Sequence, residues 1–503
     1  METARARPGR LPASGGRHGG FVAARDVALG GVVVIAAGAL VTVGPRAWLL
    51  ACVVVTGVAV ALAPARSGER SALGEILFLS VAVAVMFAGL NAVRPAGALT
   101  LSDLAILAAL WFAALGLVID PALGRRLIPP WWLTVAAGGL VVAGLVAELF
   151  PPGEIPEVTD FADPLYAGST GGAASTNLAG AIRLAGTLLL VPMLIAAAAD
   201  SRQRVILLTE LWIGGALISA VIAIIGQLGF STGPLGAIEH DFWREQAGLT
   251  VHPNMLGLIS AMTLPIVISR LSGADWRHRV YYIAAIAALL GAVAASGSRI
   301  ALICGAIGVV LVVILTTGTW KLAALLAGAG ALAVGATIAM DLGSVPVVHR
   351  ITTEGIIDPR RAILYEEAWQ AIQARPLLGY GFDNLRGTHN VYFQLLQAGG
   401  LLALFSFLLF AAGTLMVGVR CGRIADLSPD MRALALGLTS SIAAWLIAVL
   451  VLNIFLDRFL YVQVGLLLAI AGLVLRDRAR RDQTLGDRAS QPSSSTPVSV
   501  RSS

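Results

Sequence analysis

His389 and Asn390 stand immediately before a long apolar run, in the stretch GTHNVYFQLLQAGG (387–400). A neutral histidine is the usual general base near pH 7, because its ordinary pKa lies close to that value. His389, at the edge of a membrane-length apolar segment, is therefore a candidate catalytic base. The Asn390 amide cannot take a proton, but it could orient the imidazole or a substrate. A histidine that only hydrogen-bonds its surroundings is the structural alternative.

Two arginines are candidates for binding an anionic group. Arg299 lies at the junction of two apolar runs, in SGSRIAL (296–302), and Arg361 lies in DPRRAILYEEAWQAIQA (358–374). A guanidinium binds phosphate through two parallel hydrogen bonds, and near bilayer depth it usually faces a wet cavity or a partner. Arg299 could instead snorkel to the membrane interface. Arg360 is more simply explained by pairing with a nearby glutamate or with headgroups, so Arg361 is the functional candidate of the two.

Two further side chains could contact a substrate. His252 lies in GLTVHPNMLG (248–257), where Pro253 can begin a helix and His252 or Asn254 can cap its exposed amides. A structural role is therefore favoured for His252. Arg183 lies in the middle of an apolar run, NLAGAIRLAGTLL (177–189), and could line the same cavity as the other candidates.

Membrane helices must position these residues. The 503-residue chain is 57% hydrophobic and 13% charged, with a mean hydropathy of +0.84, and a soluble domain of this composition could not cover its surface with polar groups.

The three cysteines have spacings that fit neither a disulfide framework nor a metal site. The sequence has no Walker loop, no nucleotide-binding glycine fingerprint and no HExxH motif. The pI near 9.6 comes from arginines scattered over short loops, which indicates membrane topology rather than nucleic-acid binding.

Fourteen apolar runs are long enough to span a bilayer: 27–44, 46–64, 73–93, 99–119, 131–150, 173–199, 205–229, 251–269, 280–297, 300–317, 320–341, 389–418, 432–453 and 457–475. Some of the early runs could be re-entrant or wrongly divided, so about twelve to fourteen transmembrane helices are predicted. Basic short loops alternate with long or acidic connections, and the positive-inside rule therefore places both termini in the cytoplasm. The long connections 151–172, 230–250 and 342–388 are then extracytoplasmic.

The predicted organisation is one polytopic membrane domain, residues 27–475, between two polar tails. Residues 1–26 and 476–503 are expected to be disordered and cytoplasmic. Within the loop 342–388, the segment after Asp358 is expected to form a helix that ends at Pro376. An apolar stripe along this segment is typical of a helix lying on a membrane surface. The stripe consists of Ile363, Ala368, Trp369 and Ile372.

The order of the motifs resembles the O-antigen ligase and polysaccharide polymerase family of bacterial membrane glycosyltransferases. GLTVHPNMLG, then SGSR, then RAILYEEAWQAIQARPLLGYGFDN (361–384), then HNVYFQLLQAGG (389–400) occur in this order on one predicted side of the membrane. The resemblance covers about residues 175–415. The chain departs from the family pattern at Tyr365, where tryptophan is common, and at Leu404, where ligases have a small residue or tyrosine. These departures leave ligase and polymerase both open.

The resemblance implies the multi-helix fold of lipid-carrier-dependent (C-type) glycosyltransferases, in the bacterial cytoplasmic membrane and with the active site outside. It implies transfer of a glycan from undecaprenyl diphosphate to a hydroxyl of a glycan or glycolipid acceptor. Paired guanidiniums can neutralise the diphosphate without a metal or cofactor, and direct displacement would invert the anomeric centre. Arg299 and Arg361 would bind the diphosphate, and His389 would be the base. Further candidates for substrate contact are Asn390, Arg183 and His252.

A transporter or flippase of a lipid-linked or anionic glycan is the alternative from a different functional class. Transporters place polar residues near the membrane midplane on several discontinuous helices, whereas here Arg183 is the one good candidate and the other motifs gather outside. A peptidoglycan polymerase of the shape and division class is a third interpretation, which the His389–Asn390 pair fits less well. Glycan transfer is therefore the predicted function, with the sugar and the acceptor left open.

Overall fold

The chain forms an all-α bundle, as predicted. The computed structural model describes residues 72–94, 99–151, 177–229, 239–240, 245–271, 273–317, 359–382, 388–452 and 457–490. Within these ranges the helices are α1 (Ala72–Phe87), α2 (Leu101–Ile119), α3 (Pro121–Arg126), α4 (Trp131–Leu149), α5 (Asn177–Ala198), α6 (Arg202–Gln227), α7 (Pro253–Leu271), α8 (Trp276–Ala295), α9 (Arg299–Thr317), α10 (Pro359–Ala374), α11 (Val391–Arg423), α12 (Pro429–Ala448) and α13 (Phe459–Ser490). In the same ranges, β1 (Glu239–His240) pairs antiparallel with β2 (Glu245–Gln246).

Ten of the described helices are long and apolar enough to cross a membrane. They correspond to predicted runs, and α1, a shorter apolar helix, corresponds to one more. The protein is therefore a polytopic membrane protein. The predicted runs 27–44, 46–64 and 320–341 lie outside the described residues, so the total helix count stays a prediction.

The arginine-bearing short loops meet at one end of the bundle, which we call the basic end. Arg204, at the start of α6, pairs with Asp200 at 3.2 Å and with Glu75 of α1 at 2.6 Å. Arg126, at the end of α3, also pairs with Asp200, at 2.9 Å. The candidate functional residues lie at the opposite end, where α5, α7, α9 and α11 begin; we call it the site end. This division agrees with the predicted alternation of loops.

Helix α7 lies at the centre of the bundle and α12 lies beside it. α7 packs against α6, α8, α9 and α12, and its residues are buried over most of its length. α12 in turn packs against α9, α11 and α13. The starts of α7, α9 and α11 are therefore gathered around the end of α12 at the site end.

Helix α11 is broken at Gly399 and Gly400, and the chain after α10 fills the break. Gly400 has a φ of +60°, which glycine adopts at little cost. The Leu401 amide donates to the Pro376 carbonyl at 3.0 Å, and the Gly381 amide donates to the Ala398 carbonyl at 2.8 Å. Broken helices in membranes need such internal partners for their backbone groups. The break therefore ties the end of α10 to α11.

Helix α13 continues beyond the last predicted apolar run. It ends at Ser490, inside the tail predicted over residues 476–503, and residues 491–503 lie outside the described ranges. Arginine, alanine and glutamine in this part are good helix formers. Arg481 pairs with Asp426 in the loop before α12 at 3.0 Å, and Arg476 donates to the Asp200 carbonyl at 3.4 Å. These contacts support the helix beyond its apolar part.

Candidate active site

His389 adopts a backbone conformation that is uncommon outside glycine. Its φ is +51°, and among the described residues it is the only non-glycine with a positive φ. The left-handed region costs a non-glycine residue about 1–2 kcal/mol, and such residues cluster at functional sites. The His389 carbonyl accepts a hydrogen bond from the Tyr365 hydroxyl at 3.4 Å, and Thr388 Oγ1 donates to the Asn390 carbonyl at 3.0 Å. Neighbouring groups thus hold the turn on both sides of the histidine.

Asn390 is the N-cap of α11. Its Oδ1 accepts hydrogen bonds from the Tyr392 amide at 3.0 Å and from the Phe393 amide at 3.2 Å. The side-chain oxygen is therefore committed to the helix, and a contact to substrate would fall to Nδ2. The Val391 amide donates to the Val449 carbonyl at 2.9 Å. This bond fixes the His389 turn to the end of α12.

Arg361 lies in α10, the helix that contacts His389 through Tyr365. The sequence predicted this helix, and α10 begins at Pro359 as expected. Tyr365 follows Arg361 by four residues, which is about one helical turn. The Tyr365 ring meets Phe393 of α11 edge to face at 5.9 Å, and its hydroxyl bonds the His389 carbonyl. The Arg361 backbone is thus one helical turn from a residue that touches the histidine.

The predicted apolar stripe of α10 is buried only in part. Ala368 and Ile372 are buried, whereas Ile363 and Trp369 are exposed. Trp369 lies 6.3 Å from Phe393 between ring centres. The helix therefore packs on α11 through part of the stripe, and its position on a membrane surface stays a prediction.

Arg299 is buried at the first position of α9. Its exposed fraction is 7%, which argues against a side chain that snorkels to the membrane surface. The turn before it has Gly297 at a φ of +64° and is closed by a hydrogen bond from the Ser298 amide to Ser296 Oγ at 3.2 Å. Because α9 and α11 both pack against α12, Arg299 and His389 lie at the same end of the bundle beside that helix.

Glu245 is a buried carboxylate that the sequence analysis missed. It lies on β2 with an exposed fraction of 7%. A Cβ added to Gly297 would be 2.7 Å from Glu245 Oε1, so the carboxylate packs directly against the turn that begins α9. Glu245 is therefore a candidate for positioning the Arg299 turn. Its position 52 residues before that glycine gave no signal in the sequence.

His252 caps α7, in agreement with the favoured structural role. Its Nδ1 accepts a hydrogen bond from the Asn254 amide at 3.0 Å. One turn further on, a Cβ added to Gly257 would be 2.6 Å from Ser296 Oγ and 2.7 Å from Ala301 Cβ. The GLTVHPNMLG and SGSR motifs, distant in sequence, thus pack against each other. A substrate contact by His252 stays a prediction.

Arg183 is exposed on α5 and lies near a different group of charges. The charges of Arg183, Arg94 and Arg458 all act on Asp457, just before α13. No described contact joins Arg183 to His389 or Arg299. Among the described residues, no three His, Cys, Asp or Glu side chains are grouped as a metal site would require.

One family model matches the region that contains most of these residues. Residues 284–408 match the family described as O-antigen ligase. The matched region includes Arg299, Arg361, His389 and Asn390, whereas Arg183, Glu245 and His252 precede it. It is narrower than the resemblance noted in the sequence. No curated protein matches the chain significantly.

Proposed function

We propose, from the match of residues 284–408 to the O-antigen ligase family, that the chain transfers a glycan from undecaprenyl diphosphate. The acceptor is a hydroxyl of a second glycan or a glycolipid. The reaction takes place at the extracytoplasmic face of the bacterial cytoplasmic membrane, so the basic end of the bundle is cytoplasmic. This orientation follows from the positive-inside rule.

Arg299 and Arg361 bind the diphosphate of the donor. Diphosphate is a good leaving group once its charge is neutralised, and guanidiniums in a site of low dielectric supply that neutralisation. The burial of Arg299 supports this role, because water screens a buried charge less than an exposed one. The Glu245 carboxylate, packed against the Arg299 turn, positions that arginine.

His389 acts as the general base. Its neutral imidazole takes the proton of the acceptor hydroxyl while that oxygen forms a bond to the anomeric carbon. The bond from the anomeric carbon to the diphosphate oxygen breaks, and the electron pair leaves with the diphosphate. Attack from the side opposite the leaving group inverts the anomeric centre. The proton then passes from His389 to water.

One observation carries the proposal: the left-handed backbone of His389, held between the cap of α11 and Tyr365 of α10. A non-glycine residue keeps such a conformation where its surroundings impose it, and such positions cluster at active sites. The family match over the same segment agrees with this assignment.

A comparison of transfer with translocation tests the proposal. Purified protein in nanodiscs would receive a lipid-linked glycan and an acceptor, and the same protein in sealed liposomes would receive the lipid-linked glycan alone. We expect an acceptor-dependent glycosidic product in nanodiscs and no movement of the glycan lipid across the liposome membrane. Translocation without any transfer product would contradict the proposal and favour the transporter interpretation.

A further inference from the structure

The Tyr365 hydroxyl joins three helices at the site end. It lies 3.4 Å from the carbonyl of His389, in the turn before α11, and 3.4 Å from the carbonyl of Leu450, just after α12. A hydroxyl has one proton to donate, and two carbonyls can share it. One hydroxyl of α10 thus bridges the end of α12 and the turn that carries the candidate base.

The bond to His389 acts on the peptide unit that directly follows its Cα. The His389 carbonyl belongs to that unit, so its orientation depends on the ψ angle of the histidine. The next unit is held separately, because the Val391 amide donates to the Val449 carbonyl at 2.9 Å. His389 has a φ of +51°, where few ψ values are sterically allowed. Tyr365 therefore acts on the rotation that sets the imidazole relative to α11.

The packing of α10 fixes the Tyr365 ring independently of its hydroxyl. The ring meets Phe393 edge to face, with 5.9 Å between ring centres. Trp369, one turn further along α10, lies 6.3 Å from the same phenylalanine. Ala368 and Ile372 of the same helix are buried. Removal of the hydroxyl alone should therefore leave the ring and α10 in place.

We propose that Tyr365 is a positioning residue for the base: its hydroxyl holds the His389 turn against the end of α12 and so keeps the imidazole directed at the acceptor hydroxyl. This inference rests on the proposed function, because it concerns the base of that reaction. Tyr365 exchanges no proton with the substrate and acts through His389. The chain departs from the family pattern at this position, and the tryptophan that is common there has no hydroxyl. The bond is therefore a feature of this chain.

Tyr392 provides a matched control. Its hydroxyl donates to the Leu446 carbonyl of α12 at 2.8 Å, and its ring meets Phe407 edge to face at 5.9 Å. Both tyrosines are half-buried, and both hydroxyls bond carbonyls at the same end of α12. Tyr392→Phe thus removes a shorter bond of the same kind and leaves the contact between Tyr365 and His389 intact.

Steady-state transfer by the full-length protein in nanodiscs separates the two tyrosines. Tyr365→Phe should lower kcat by roughly three- to tenfold, which corresponds to the loss of one hydrogen bond. It should leave the donor KM unchanged, because the arginines bind the donor. Tyr392→Phe should lower the unfolding temperature and keep the wild-type kcat per folded molecule. Wild-type kcat in Tyr365→Phe, or an equal loss of kcat in both variants, would overturn the proposal.

A double-mutant cycle shows whether Tyr365 acts through His389. With the histidine present, Tyr365→Phe should lower the transfer rate. In the His389→Asn background it should lower the residual rate no further, because there is no imidazole to position. Equal effects in the two backgrounds would make the hydroxyl independent of the base and would also overturn the proposal.

A measurement without substrate separates this inference from the proposed function. The imidazole carbon resonance of His389 would be recorded in histidine-labelled protein and assigned by its loss in His389→Asn. It should be single in the wild type and in Tyr392→Phe, and it should broaden or split in Tyr365→Phe. An unchanged resonance in Tyr365→Phe would overturn the positioning role. If the wild type transfers nothing, the proposed function fails, and this spectrum still decides whether the hydroxyl holds the turn.

Discussion

Substitution of His389 by asparagine and by alanine separates the chemical role of the histidine from its structural role. The backbone there has a φ of +51°, which costs most residues about 1–2 kcal/mol, whereas asparagine, like histidine, adopts it more readily than most. His389→Asn should therefore keep the turn and lose only the base. His389→Ala should lose the base and also destabilise the turn, by about 1 kcal/mol relative to His389→Asn. Both should lower the transfer rate by roughly a hundred- to ten-thousandfold.

Thermal unfolding and turnover per folded molecule, measured on the same preparations, test this expectation. We expect His389→Asn to unfold near the wild-type temperature and His389→Ala to unfold lower, with transfer almost lost in both. Wild-type turnover per folded molecule in His389→Asn would refute the base assignment. Equal destabilisation in both variants would refute the reasoning from backbone strain.

Three further predictions concern the arginine, the helix cap and the membrane topology. Arg299→Ala should lower transfer by roughly ten- to a hundredfold, and Arg299→Lys should lower it less because the charge remains; wild-type turnover in the alanine variant would remove Arg299 from the site. Asn390→Ala should cost about 1 kcal/mol of stability and Asn390→Ser much less, because serine is also a good N-cap; equal unfolding temperatures would contradict the capping role. A cysteine at Ser344 should react with a membrane-impermeant thiol reagent in intact cells, with the parent chain as the control; labelling only after lysis would reverse the topology.

Much of the fold could be predicted because hydropathy and helix-end residues act locally. The start of α10 at Pro359 and the capping of α7 by His252 could both be predicted from neighbouring residues. The candidate site residues on α9, α10 and α11 were found in the same way, from residue type and position relative to apolar runs. Their grouping at one end follows from the alternation of membrane helices.

The remaining features depend on contacts between distant residues or on local geometry that many residues permit. Glu245 meets the Arg299 turn only through the packing of β2 against Gly297. The charge of Arg183 acts on Asp457, far along the chain, and no sequence pattern links the two positions. The left-handed φ of His389 has no sequence signal, because histidine adopts right-handed and extended conformations more often.

The most direct test of the account is the stoichiometry and stereochemistry of a single round of transfer by the purified protein in nanodiscs. Lipid-diphosphate-linked glycan would be mixed with acceptor, and the reaction quenched at intervals. We predict that one lipid diphosphate is released for each glycosidic bond formed, with an inverted anomeric centre. The rate should rise with pH through the histidine range and then level off. Release without bond formation, or a product with retained configuration, would contradict direct displacement assisted by His389.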